Sequence, residues 1–123
     1  MATVLVVDDE FGLAEVLETL LTDEGYRVLT AINGRQALAR LAEVRPDAVL
    51  LDYMMPVLDG AGVMRAILAD PALAALPVVV MSSLPEDAIA ERFTGHAAFL
   101  RKPFRIGDVL SALTGVLGRT QPA

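Results

Sequence analysis

The chain has 123 residues, 54% hydrophobic and 21% charged, which suits one compact domain with room for a real core and argues against disorder. It carries 16 acidic against 10 basic residues, a net charge of −6, which disfavours a nucleic-acid backbone as the direct partner. With no cysteine, disulfides and thiolate metal sites are excluded, and no apolar run approaches membrane-spanning length or forms a signal-peptide core, so the cytoplasm is the expected compartment and no membrane is expected as a partner.

Short apolar runs alternate with segments of helical period. Residues 4–7 form the first predicted strand and run directly into Asp8, Asp9 and Glu10. Two such charges about 4 Å apart repel by roughly 4 kcal/mol in a partly buried site, so a positive group should lie nearby. Leu13, Val16, Leu17, Leu20 and Leu21 then share a helical stripe, with Gly25 placed to end the helix. A second strand over 28–31 leads to a helix marked by Ala37, Leu38 and Leu41. A third strand over 48–51 ends in Asp52, and Val63, Met64, Ile67 and Leu68 mark the next helix. A fourth strand over 78–81 meets Ser82 and Ser83, and residues 85–94 form a short helix with Ala88, Ile89 and Phe93 as its inward candidates. A fifth strand over 99–100 runs into Arg101, Lys102 and Pro103, and Ile106, Val109, Leu110, Leu113, Val116 and Leu117 mark the last helix. Arg119 is the last residue expected to be ordered, with 120–123 a flexible tail.

Strands one, three and four are almost uninterrupted in apolar character, as strands covered on both faces are. Five β-α units therefore imply a doubly wound parallel sheet with right-handed crossovers. Ligands in such sheets bind beyond the carboxyl ends of the strands. The residues there are Asp8, Asp9, Asp52, Ser82 and Lys102: three carboxylates, a hydroxyl and an ammonium. Carboxylate oxygens suit Mg²⁺, and a carboxylate can itself act as a nucleophile toward phosphorus. A divalent ion, a lysine and a hydroxyl donor are sufficient equipment for phosphoryl transfer.

Taken singly, each residue has a plainer explanation. Asp8 and Asp9 could cap the first helix, Ser82 could belong to a turn, Lys102 to the solvated surface, Phe99, Met54 and Met55 to packing, and His96 to the surface. None of these explains why all the polar groups should meet at adjoining strand ends.

The motifs VLVVDDE, LLDYMMPVLDG, VVVMSS and FLRKPF, in this order and spacing, resemble the receiver domain of two-component response regulators over essentially the whole chain. The resemblance implies a flavodoxin-like (βα)5 sandwich with strand order 2-1-3-4-5, a receiver domain over residues 1–119, and no output domain. It makes Asp52 the phosphoacceptor and Mg²⁺ (or Mn²⁺) the cofactor, with Asp9 a direct ligand, Asp8 acting through a metal-bound water, and the Met54 backbone carbonyl completing the set. It gives Ser82 and Lys102 the phosphoryl contacts, Phe99 the part of an aromatic that turns inward with Ser82, and the Lys102–Pro103 bond a cis geometry. Gly60 starts helix three. Met54 and Leu84 stand where the family tunes phosphoryl lifetime, and their apolar side chains imply slow dephosphorylation.

This chain departs from the family in four places. Phe99 stands where many members have tyrosine, Ser83 where alanine is more common, and His96 where a small residue is usual. The Ser82 to Lys102 stretch is slightly short, which bears on the shape of helix four. The expected partners are a sensor histidine kinase or a histidine phosphotransfer protein and an unidentified downstream protein that reads the surface of helix four, strand five and helix five. The domain is expected as a monomer or weak homodimer, either free-standing or part of a larger regulator. No enzymatic turnover is expected beyond self-catalysed phosphotransfer and slow autodephosphorylation. Two other readings remain: a pseudo-receiver that binds partners without phosphorylation, and a Mg²⁺-dependent phosphohydrolase with an Asp nucleophile. The second expects a DxD after strand one, whereas this chain has DDE.

Overall fold

The computed structural model describes residues 2–55, 57–90 and 94–120, excluding the side chains of Phe11, Arg119 and Thr120. Strands β1 (Thr3–Val7), β2 (Arg27–Ala31), β3 (Ala48–Asp52), β4 (Val78–Ser82) and β5 (Ala98–Arg101) alternate with helices α1 (Phe11–Asp23), α2 (Gly34–Glu43), α3 (Gly60–Ala69), α4 (Glu86–Ile89) and α5 (Ile106–Thr120). All strand pairings are parallel, in the order β2-β1-β3-β4-β5. The three central strands are the apolar runs of the sequence, because only they are covered on both faces; the edge strands β2 and β5 stay partly open. Each strand is longer than its apolar run. Asp52 and Ser82 are the last residues of β3 and β4, not residues beyond them, since the backbone ladder continues past the last apolar side chain.

Two cores flank the sheet. Leu5, Val7, Val49, Leu51, Val78 and Val80 face α2, α3 and α4 through Ala37, Leu41, Val63, Met64, Ile67 and Ile89. Val4, Val6, Leu50, Val79 and Met81 face α1 and α5 through Ala14, Leu17, Leu21, Val109, Leu113 and Val116. At roughly 2 kcal/mol for each fully buried aliphatic side chain, these layers are the main favourable term in the fold.

The helix ends follow local chemistry. The α1 C-terminus is a Schellman arrangement: Gly25, at φ 95°, donates to Thr22 O, and Tyr26 N donates to Leu21 O. Asn33 caps α2 by accepting from Gln36 N, while Gln36 Oε1 accepts from Ile32 N; Asp59 caps α3 by accepting from Gly62 N.

Several expectations are corrected. Val16 and Leu20 in α1 are 53% and 36% exposed, because the buried face is centred on Ala14, Leu17 and Leu21. The small Ala14 lets the helix turn that side to the sheet and leaves the other border of the stripe in solvent. Leu68 is likewise exposed at the edge of α3. Among the described residues helix four covers Glu86–Ile89, with Ile89 buried and Ala88 exposed, while residues 91–93 of the expected 85–94 lie outside the described residues. Phe93 lies outside the described residues, as does the tail at 121–123; α5 itself extends to Thr120.

Candidate functional site

The parallel register stacks the polar residues. Val7 is level with Leu51, so Asp8 continues β1 beside Asp52; Asp52 is level with Met81, putting Ser82 one step further; Ser82 is level with Arg101, putting Lys102 one step further again. Backbone hydrogen bonds extend the ladder, from Asp8 N to Ala31 O and from Lys102 N to Ser82 O. The cleft above these strand ends has a volume of about 290 Å³ and is lined by Asp9, Glu10, Asp52, Met54, Ser82, Ser83 and Lys102.

Lys102 is the positive group that the acidic run demanded. Its Nζ lies 3.2 Å from Asp8 Oδ2, 3.4 Å from Glu10 Oε1 and 3.4 Å from Asp52 Oδ2. Asp8 is fully buried and occupied, since its Oδ1 also accepts from Glu10 N at 2.9 Å. Asp9 is exposed. Carboxylate oxygens of Asp8, Asp9 and Asp52 lie within 4.8 Å of one another, an all-oxygen set able to hold a metal ion. The Lys102–Pro103 peptide bond is cis.

Burial, reinforced by the charge of Asp8, raises the Asp52 carboxyl from 3.8 to about 7, against the pull of Lys102 and of the Met54 N–H. Desolvation is the largest single influence on the Lys102 ammonium and lowers it, but Asp52, Asp8 and Glu10 together outweigh it and hold the group above its ordinary value. Two buried acids and one ammonium leave excess negative charge, which a hard cation among these oxygens would relieve.

The remaining predicted residues surround this centre. Ser82 is buried, its Oγ accepting from Leu84 N at 3.0 Å. Met54, 60% exposed, lines the cleft, whereas Leu84 is half-exposed and is not part of its wall. Phe99 is partly buried against the core under α2, α3 and α4. His96 stands apart, with Nε2 2.7 Å from Glu86 Oε2. In the β3–α3 loop Val57 adopts φ 70°, a conformation costly for a β-branched residue. Sequence reasoning gave Glu10 no role. The signal was present in DDE, but its pairing with Lys102 depends on residues 92 positions apart.

Sheet order, acidic cleft and partly buried lysine define a flavodoxin-like α/β domain with a carboxylate cluster at the carboxyl ends of its strands. Residues 4–114 match the family model for the response regulator receiver domain, and the chain belongs to that family, the receiver domains of two-component response regulators. "Response regulator MprA" of Mycolicibacterium vanbaalenii is 40% identical over 123 residues, covering 97% of this chain and 52% of the relative. "Probable transcriptional regulator ycf27" of Guillardia theta is 38% identical, covering 98% of this chain and 47% of the relative. The chain thus spans about half the length of the curated relatives it matches. Among solved structures, the signal receiver domain of a signal transduction histidine kinase from Syntrophus aciditrophicus gives a TM-score of 0.91 at 29% identity, covering 100% of this chain and 95% of that one. Chemotaxis protein CheY4 of Vibrio cholerae gives 0.89 at 30% identity, covering 94% and 98%. Among the described residues no helix is long and apolar enough to cross a membrane.

Proposed function

We propose that this receiver domain accepts a phosphoryl group on Asp52 from a phosphohistidine of a sensor histidine kinase or histidine phosphotransfer protein, and from small phosphodonors. The observation that carries this reading is Lys102 held 3.4 Å from Asp52 in an open cleft where three carboxylates converge. An Asp52 oxygen attacks phosphorus, the donor P–N bond breaks, and the imidazole nitrogen leaves with the electron pair and takes up a proton. Attack needs ionised Asp52, which burial opposes and Lys102 favours.

Asp9, exposed in the cleft, would ligate Mg²⁺ or Mn²⁺ directly, together with Asp52 and the Met54 carbonyl; Asp8, committed to Lys102 and Glu10 N, would act through a water. When bound, the ion supplies charge neutralisation of the carboxylates and phosphoryl oxygens. Lys102 pairs with one phosphoryl oxygen. The Ser82 hydroxyl leaves its local bond with Leu84 N to donate to another, and Phe99 moves further inward, changing the α4–β5–α5 surface. A bias of about 5.5 kcal/mol would carry such a switch from 1:99 to 99:1.

The remaining assignments belong to the same reading. Residues 1–119 act as the receiver unit, in the cytoplasm, as a monomer or weak homodimer, controlling a downstream protein without touching nucleic acid directly. The only chemistry is self-catalysed phosphotransfer and slow autodephosphorylation.

Intact-mass spectrometry after incubation with Mg²⁺ and acetyl phosphate tests the reading on wild type and Asp52→Asn, with a chelator control. The expected result is a metal-dependent phosphoryl adduct absent from the variant. A wild-type protein that takes up neither this adduct nor beryllofluoride would favour a phosphorylation-independent interaction module.

A further inference from the structure

Glu10 occupies the N-cap position of α1, yet its side chain makes no capping hydrogen bond. That position favours short Ser, Thr, Asp or Asn side chains, which reach back to the first turn. Glu10 instead sends its carboxylate away from the helix to Lys102 Nζ at 3.4 Å, the same distance that separates Nζ from Asp52. Its backbone N–H is satisfied separately by Asp8 Oδ1, so the side chain is released from local duty. Glu10 and Lys102 also stand together between two spaces. One is the acidic cleft; the other is a groove of about 450 Å³ lined by Leu13, Ser83, Pro103 and Phe104. The Lys102 side chain is 17% exposed while that of Glu10 is 67% exposed, so the lysine is held by the site and the glutamate reaches in from solvent.

Resting on the assignment of Asp52 as phosphoacceptor, we propose that Glu10 is a positioning residue: it shares the Lys102 ammonium with Asp8 and Asp52 in the resting domain and so sets how readily Lys102 transfers to a phosphoryl group on Asp52. Three acids divide one cation. Asp8 is buried and cannot withdraw, and Asp52 acquires the phosphoryl group that Lys102 must meet. Glu10 is the only one of the three that can swing into water, so its grip is the adjustable part of the balance. An exposed pair of this kind contributes little to stability. Its strength nevertheless counts directly against any new partner of the lysine.

The test is a double-mutant cycle on the full chain, with beryllofluoride and Mg²⁺ as the phosphoryl probe, binding measured by ¹⁹F NMR and calorimetry. Glu10→Gln should tighten beryllofluoride binding about two- to fivefold, the range that an exposed ion pair spans. The same substitution in a Lys102→Met background should have no further effect, because the interaction lost is with Lys102. A Glu10→Gln effect of equal size in both backgrounds would mean the glutamate acts by charge alone and would overturn the proposal, as would no effect in the wild-type background. If wild type binds no beryllofluoride while Asp52 is intact, the phosphoacceptor assignment fails first and this inference with it. Binding by wild type with an unchanged Glu10→Gln variant removes the inference alone.

Discussion

Replacing Asp52 with asparagine should stabilise the metal-free protein, and increasingly so as pH rises. In the fold this carboxyl is 4% exposed, and burial and the charge of Asp8 raise it from 3.8 to about 7. The folded state therefore binds more protons than the unfolded chain between roughly pH 4 and 7, so stability declines with rising pH across that window. The full difference corresponds to about 4 kcal/mol above pH 7. Near pH 5, where the folded carboxyl is still protonated and the unfolded one is mostly ionised, it is only about 2 kcal/mol. Asparagine has nearly the same shape and no proton to lose. The stability difference between variant and wild type should therefore grow by about 2–3 kcal/mol from pH 5 to pH 8, or roughly 10 °C in Tm for a domain this size. Calorimetric or dichroism melts of both proteins in chelator at several pH values measure it directly. Millimolar Mg²⁺ at pH 8 should raise the Tm of wild type more than that of the variant. Parallel pH profiles for the two proteins would show that Asp52 is not the strained group and refute the reasoning.

Two further outcomes are expected. Met54→Asn should shorten the lifetime of the phosphorylated domain about fivefold, the value of one water-orienting hydrogen bond, in a phospho-decay time course; unchanged decay would remove Met54 as the reason for slow loss. Gly60→Ala should cost about 1–3 kcal/mol in denaturant unfolding, because its Cβ would sit 2.7 Å from Tyr53 Cα and 2.8 Å from Asp52 O, both backbone atoms with little room to yield. A neutral result there would mean the β3–α3 loop is softer than its packing implies.

The sheet was legible in the one-dimensional pattern because a central parallel strand must be apolar on both faces, and 4–7, 48–51 and 78–81 carry that signature without any partner being known. The same pattern put Asp8, Asp9, Asp52, Ser82 and Lys102 at strand ends, since a polar residue closing an apolar run can only mark where the strand leaves the core. Which borders of the helices are wet was not legible. Val16 and Leu20 share the period of Leu17 and Leu21, and only the docking of α1 on the sheet through Ala14 decides which of them meet solvent. The extent of α4 was equally hidden, because within the described helix a single side chain, Ile89, anchors it to the core. Above all, the sequence by itself determined that the acidic run after β1 needs a cation. Tertiary structure alone decided that Lys102 serves Asp8, Glu10 and Asp52 at once, because parallel register sets their heights and a three-way charge balance depends on distances that no spacing along the chain encodes.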